Sequence, residues 1–380
     1  MIKTTIAHVS TNYLPTIGGI ELAIKNLSDG LVGQGFNVRV ISSLQDKTNI
    51  ICERLGQVNV VRVPSLRFFY NELTVPYKIP IKALKDVDIV VGWAGSSFFP
   101  YPICREAKKL GKKVIAYIIG VDYLRNHHNT FIKILGYPYQ RILTEKWLET
   151  SHLVLVANEF ERKLLYEVYG VDSVVLPHGV PRTYIETPKL DKIFREKYNI
   201  ERDKKILAYI GRIHPTKGVD VLIRSIPMIM KANKNIKVVI AGKADNRYLH
   251  KCLKLASKLG VKDNVQFLGF VPEFDKIGLI DASTAIVLPT RHSGESHPLT
   301  VEEAIARGKQ VIVSDASKAL VWRILKYKLG YAFRKDDPIS LARTTIKVIN
   351  TASTTPISGY PICTWEEIVH ELINIFISVL

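Results

Sequence analysis

The chain has 380 residues, 47% of them hydrophobic, and 53 Lys and Arg against 35 Asp and Glu give a formal net charge of +18. That length calls for two domains. No apolar run approaches the roughly 20 residues needed to cross a bilayer, and Cys52, Cys104, Cys252 and Cys363 lack the CxxC spacing of a zinc site or disulfide framework, which fits a reducing cytoplasm.

The basic surplus is spread over both halves and admits nucleic acid, anionic lipid or a phosphorylated small molecule as partner. TIAHVS reads as a strand and not as a secretory leader. A loop with Gly18 and Gly19 follows, then Leu22, Ile24, Leu27, Leu31 and Val32 near helical spacing, then the strand FNVRVIS, a βαβ unit. VNVVRV, VDIVVGW, KKVIAYIIG, SHLVLVAN and SVVLP continue as strands with helices between most of them, so a parallel, doubly wound sheet is expected. Asp86 and Asp88, spaced as a DxD pair, open one of these strands and read as structural. Arg105, Lys108, Lys109, Lys112 and Lys113 form a basic cluster in REAKKLGKK. FIKILGYPYQRILTEKW at 131–147 mixes apolar, aromatic and basic residues, and suits either an interfacial helix or one packed on the sheet.

The rhythm restarts after PHGVPRTYIETPKLDKIFREKYNI. ILAYIGR opens a second sheet, and KVVIAGK, NVQFLGF, TAIVLPT and QVIVSD continue it, with helical patterns at 219–232, 246–259 and 299–307. Arg247, Lys251, Lys254 and Lys258 fall on one face of the second of these helices and, like the earlier cluster, read as solvated. TWEEIVHELINIFISVL closes the chain as an amphipathic helix, 364–380, with Thr364 and Glu367 spaced as a capping box; it is expected to pack back on the first half. The architecture is α/β, with two Rossmann-like parallel-sheet domains, 1–180 and 181–363, facing a central cleft. In such sheets ligands bind outside the carboxyl ends of the strands.

Three loops at those ends can carry chemistry. Gly18 and Gly19 lead into a helix, where bare backbone amides can meet an anion or simply make a tight turn. GRIHPTKG (211–218) delivers Arg212 and Lys217, a fork and a point charge suited to a diphosphate, although a surface loop with two ordinary cations has the same pattern. RHSGESHPLTVEEA (291–304) follows the next strand but two and leads into a helix. Pro298 suits the first helical turn, leaving the amides of Leu299 and Thr300 free to receive a phosphate. Glu295 precedes that helix and Glu303 lies about a turn and a half inside it, where a carboxylate can accept bonds from a vicinal diol. Glu302 reads as a solvated helical residue.

These pieces, in this order, resemble the retaining GT-B glycosyltransferases of family 4. GGIE at 18–21 matches the family's N-terminal glycine loop, NEFERKLL at 158–165 its helix start, LPHGV at 176–180 its hinge, GRIHPTKG its Arg/Lys loop and ESHPLTVEE its paired glutamates. The resemblance implies that Arg212 and Lys217 contact the donor diphosphate, Glu295 the donor sugar and Glu303 the nucleotide ribose. It implies that the backbone from His297 through Pro298 and Leu299 to Thr300 serves sugar and phosphate, that Phe270 and Val271 line the base, and that Gly18 and Gly19 approach the diphosphate. Asp122 falls on the acceptor or sugar side.

The implied reaction moves a hexose-type sugar from a nucleotide-diphosphate sugar to a hydroxyl of a glycan, glycolipid or lipid-linked acceptor. It retains the anomeric configuration and needs neither metal nor cofactor. Cytoplasmic location is expected, with an anionic membrane surface as a candidate partner and no nucleic acid. Two departures keep other readings open. Ile119 stands where the family often has a histidine, so His127, His128 or His178 could approach instead, or the chain could be a non-catalytic nucleotide-sugar or glycan-binding protein. His297 replaces a common aromatic ring and suits either a sugar contact or packing. A GT-B sugar-nucleotide epimerase is the remaining enzymatic alternative.

Overall fold

The computed structural model describes residues 4–44, 51–68, 73–127, 129–351 and 359–380. The chain forms two compact units, Met1–Gly179 with Cys363–Leu380, and Val180–Ile362. In chain order the first unit contains β1 (Thr5–Ser10), α1 (Gly19–Gly33), β2 (Asn37–Leu44), β3 (Ile51–Leu55), β4 (Val58–Arg67), β5 (Thr74–Pro76) and β6 (Ile89–Ala94). It continues with α2 (Pro100–Lys109), β7 (Lys113–Ile118), α3 (Thr130–Thr150), β8 (Leu153–Val156), α4 (Glu159–Tyr169) and β9 (Val174–Val175). The strands lie in the order β3-β4-β2-β1-β6-β7-β8-β9, and β5 pairs with β4. All pairs are parallel except β3 and β5 on β4.

Every residue of β1 and β6 is buried, as expected of central parallel strands covered on both faces. Trp147 of α3 is fully buried and presses on Gly92 of β6, where a side chain would overlap its ring. The aspartates ahead of β6 are committed to the fold. Asp86 forms an ion pair with Arg39 at 2.7 Å, and Asp88 accepts the backbone amide of Thr5 at 2.8 Å.

The second unit runs through α5 (Thr183–Glu186), α6 (Asp191–Lys197), β10 (Lys205–Ile210), α7 (Val219–Ala232), β11 (Ile236–Ala241), α8 (Asn246–Lys258) and β12 (Val265–Gly269). It ends with α9 (Glu273–Ala282), β13 (Ser283–Leu288), α10 (Leu299–Ala306), β14 (Val311–Ser314), α11 (Lys318–Lys326), β15 (Gly330–Phe333) and α12 (Pro338–Asn350). Its six strands are all parallel, in the order β12-β11-β10-β13-β14-β15. Winding reverses between β10 and β13, so the loops after these neighbouring strands emerge side by side, the usual place for a ligand in such sheets. The three helical patterns read from the sequence appear with ends shifted by at most one residue, whereas the short edge strands β3 and β15 had no clear signal there. Arg247, Lys251, Lys254 and Lys258 of α8 are all exposed.

The last helix, α13 (Trp365–Val379), belongs to the first unit. Its capping box forms as the spacing predicts, with Thr364 and Glu367 bonding each other's backbone amides. It packs on α1 at Gly30, where a Cβ would lie 2.5 Å from a methyl of the buried Val369. Helix propensity alone favours Leu over Gly by nearly 1 kcal/mol, so the contact can be isolated. Gly30→Leu should still cost about 2 kcal/mol through overpacking, read as a lowered unfolding midpoint in urea; a stabilised variant would contradict this packing.

Candidate functional site

The loop after β10 is built to hold Lys217 still. Tyr209 donates to the Arg212 carbonyl at 2.6 Å, His214 caps a single helical turn at Pro215–Lys217, and Gly218 closes it with φ 67°. A side chain at Gly218 would overlap the Pro289 carbonyl, so the two loops touch at backbone level there. Arg291 locks them together. Its amide donates to the Thr216 carbonyl at 2.7 Å, and its guanidinium grips both oxygens of Asp220 at 2.9 and 3.0 Å, with further bonds to Pro215 and Asp336.

This clamp brings Lys217 and Glu295 into an ion pair, with both side chains mostly buried. Burial and the Arg212 charge push the Lys217 ammonium down to about 7. Arg212 itself is exposed. Pro298 is the N-cap of α10, one place earlier than its expected position in the first turn. Leu299 and Thr300 are therefore the first helical residues, whose amides have no intrahelical acceptor. The Thr300 hydroxyl bonds the carbonyl of Ile210 at the end of β10. One cluster thus holds two cations, one carboxylate and a helix N-terminus, a natural receptor for a diphosphate.

Glu302 and Glu303, adjacent on α10, are both buried, and burial corrects the reading of Glu302 as a solvated residue. Its carboxylate lies 2.5 Å from the buried Arg323, accepts from Tyr360 at 2.8 Å and faces His297 at 3.4 Å. Burial works against this charge, but Arg323 and His297 overcome it and hold the carboxyl down to about 2. His297 is buried in the same group, with Nδ1 at 2.9 Å from Arg323, so its ring is turned into packing. Glu303 is held differently. Lys276 lies 2.6 Å from Oε1, while Oε2 is buried with no hydrogen-bond partner among the described residues. Burial pushes this carboxyl up and Lys276 pulls it back.

Phe270 follows Gly269, which ends β12 with φ 69°, and is 73% exposed; Val271 is buried in the core instead. Phe274 of α9, for which the sequence carries no signal, is exposed as well. Gly18, Gly19 and Asp122 lie in the other unit. Gly18 is the extended N-cap of α1, and Gly19 its first residue with open space beside it. Asp122 is buried at φ 50° and accepts from Tyr169 at 2.6 Å. The turn before it is fastened by Glu161, which accepts the Gly120 amide at 2.7 Å, and by Gln140. Of the three histidines near this region, His178 is buried against Tyr117 and Trp365, His127 contacts Asn129, and His128 lies outside the described residues. Among the described residues no group of three or more His, Cys, Asp or Glu is placed to hold a metal.

The family model described as Glycosyltransferase Family 4 matches residues 17–184, and the one described as Glycosyl transferases group 1 matches 191–355. Together they take in nearly the whole chain. The chain belongs to glycosyltransferase family 4. An uncharacterised glycosyltransferase of Methanocaldococcus jannaschii is 27% identical over 98% of this chain and 97% of its own. The D-inositol 3-phosphate glycosyltransferase of Corynebacterium aurimucosum is 26% identical over 78% of this chain and 75% of its own. Sucrose-phosphate synthase of Thermosynechococcus elongatus superimposes with a TM-score of 0.74 at 15% identity, covering 99% of both chains. Anabaena HepE, in complex with UDP and glucose, gives 0.73 at 14% identity, covering 98% of this chain and 99% of its own. The fold of this glycosyltransferase is GT-B.

Arg291, Lys276, Arg323 and Tyr360 are the members of the site that the sequence did not reveal, because each acts through a partner far away in the chain. Two consequences can be measured. Arg323→Leu strands a buried carboxylate and should cost about 3–5 kcal/mol. The Glu302 contribution is fully present above the ordinary glutamate range and should fade as pH falls from about 4.5 towards 2; Glu302→Gln should flatten that segment of the urea midpoint against pH.

For Glu303 of the glycosyltransferase the direction is opposite, since its carboxyl is raised. If Oε2 of Glu303 accepts a hydroxyl pair of the nucleotide, affinity should weaken with acidification earlier than an ordinary carboxylate would allow. Lys276→Met removes the opposing pull and should move that loss to higher pH, as calorimetric titration with a nucleotide sugar would register.

Proposed function

We propose that this glycosyltransferase moves a hexose from a nucleotide-diphosphate sugar to a hydroxyl of a glycan or lipid-linked acceptor, with retention and without a metal. The observation that carries the donor reading is the Lys217–Glu295 pair beside the N-terminus of α10, with Glu303 Oε2 on that helix buried and without a hydrogen-bond partner among the described residues. Breaking the sugar–phosphate bond loads negative charge onto the departing diphosphate. Arg212, Lys217 and the amides of Leu299 and Thr300 meet that charge from preset positions, the largest single contribution an enzyme commonly makes. Glu295, released from Lys217 as the diphosphate takes its place, faces the sugar; Glu303 takes the ribose hydroxyls. A departing phosphate oxygen accepts the acceptor's proton on the same face, which supports retention. The complexes of HepE with UDP and UDP-glucose support a nucleotide-sugar donor. The relatives named as acting on D-inositol 3-phosphate or as a subunit of a phosphatidylinositol N-acetylglucosaminyltransferase support a polyol or lipid-borne acceptor. The free cysteines support a reducing, cytoplasmic setting.

Incubation with a panel of nucleotide sugars, with and without acceptors, should release free nucleotide for at least one donor. Lys217→Ala should lower turnover by about 10²–10³-fold, and Glu303→Ala should weaken donor affinity by about 10–100-fold through loss of bonds to a charged acceptor. Saturable nucleotide binding without turnover of any donor would point instead to a binding protein, and interconversion of the sugar to an epimerase.

A further inference from the structure

Tyr184 of α5 is wholly buried, and two helices of the second unit fix it from opposite ends. Arg307, the C-cap of α10, donates to the Tyr184 carbonyl at 3.0 Å and to the Thr187 carbonyl at 2.7 Å. Asp281, near the end of α9, grips the same guanidinium at 2.9 and 2.7 Å. The Tyr184 hydroxyl donates to Oε1 of Glu273, the first residue of α9, at 2.5 Å. Burial, with Glu303 and Glu273 nearby, pushes this hydroxyl up, so it stays a donor.

The ammonium of Lys276 lies over the same ring, 5.4 Å from its centre. Glu273 and Lys276 stand three residues apart on α9, the spacing at which a helix ordinarily pairs such charges. Yet the lysine is 2.6 Å from Glu303 and 3.6 Å from Glu273. The atom it would otherwise take, Oε1 of Glu273, is the one the tyrosine holds. Glu273 is half exposed, so its own burial does not keep it there. Of the charges around Glu303, Lys276 and Glu273 come from α9 and Glu302 from its own helix; β14, which also packs on α10, brings none.

We propose that Tyr184 is a positioning residue for Glu303: by occupying Glu273, its hydroxyl reserves Lys276 for the Glu303 carboxylate. Tyr184 acts through these two residues and sets how one lysine divides between two carboxylates. The use of that arrangement, a Glu303 oxygen kept ionised for nucleotide hydroxyls, rests on the proposed donor reading; the division itself does not.

Two titrations of the full chain test this. The first needs no ligand: carboxyl-detected NMR of glutamate-labelled protein follows Glu303, its signal identified by loss in Glu303→Gln. Tyr184→Phe keeps the ring beneath the ammonium and removes only the donor. Lys276 then turns to Glu273, and the Glu303 titration should move to higher pH. Glu273→Gln removes the competitor and should move it lower. In the Glu273→Gln background Tyr184→Phe should have no further effect, a result that packing damage would not give. The second titration is calorimetric, with whichever of UDP, GDP and ADP the wild type binds best. Tyr184→Phe should weaken affinity by about ten-fold on the acid side, and the double variant should recover it. An unmoved Glu303 titration in Tyr184→Phe, or a shift that persists alongside Glu273→Gln, would overturn the proposal. The expected NMR shifts without any change in nucleotide affinity would sink the ribose assignment of Glu303 and leave the division of Lys276 standing.

Discussion

Arg291 holds together two loops that the chain separates by more than seventy residues. Its bidentate grip on Asp220, together with the amide bond to Thr216, fixes the segment after β10 against the segment after β13. Without that clamp Lys217 and Glu295 would be two polar side chains on separate surface loops, each free to turn into water. With it, they form a largely buried ion pair whose members are preset for exchange. In the proposed reading, an incoming diphosphate offers Lys217 a stronger partner than one carboxylate does, and Glu295 is freed in the same event. An ion pair of this sort costs desolvation, so its place at a helix N-terminus, where an anion gains from free amides, is better suited to a ligand than to stability.

The sheet provides the reason those loops meet. Reversal of winding between β10 and β13 leaves their carboxyl ends adjacent, and the Thr300 hydroxyl ties the start of α10 to the last carbonyl of β10. Gly218 completes the contact, since its backbone passes too close to Pro289 for any side chain. Chain topology sets the approximate position, a glycine sets the approach, and Arg291 sets the register.

Much of this was legible from local pattern. Alternating strands and helices give the doubly wound sheets, and a strand-to-loop-to-helix transition places GRIHPTKG and RHSGESHPLTVEEA at the carboxyl ends of strands. Cap chemistry is legible too, as Thr364 and Glu367 show, because both partners lie within one turn. What escaped depends on distant partners. The pattern LTVEEAIA cannot say that Glu302 is buried, because its burial is compensated by Arg323 and Tyr360, on α11 and beyond α12. Lys276 looks like half of an ordinary pair with Glu273, and only the fold brings it to Glu303. For α3, periodicity mixes two apolar faces of one helix, and only the packing of Trp147 tells which is inside.

The two adjacent glutamates show how one short helix separates folding from binding. Neighbouring residues on a helix point about 100° apart, so Glu302 and Glu303 enter different surroundings although one peptide bond joins them. Glu302 meets an arginine, a tyrosine and a histidine; this array keeps it ionised and anchors the loop that carries His297. Glu303 meets a lysine on one oxygen and, among the described residues, no hydrogen-bond partner on the other. A buried acceptor left without a donor costs free energy, and no group among the described residues recovers that cost. A ligand hydroxyl would recover it on binding. An incoming hydroxyl therefore has more to gain at this oxygen than at the ion-paired Glu302 beside it.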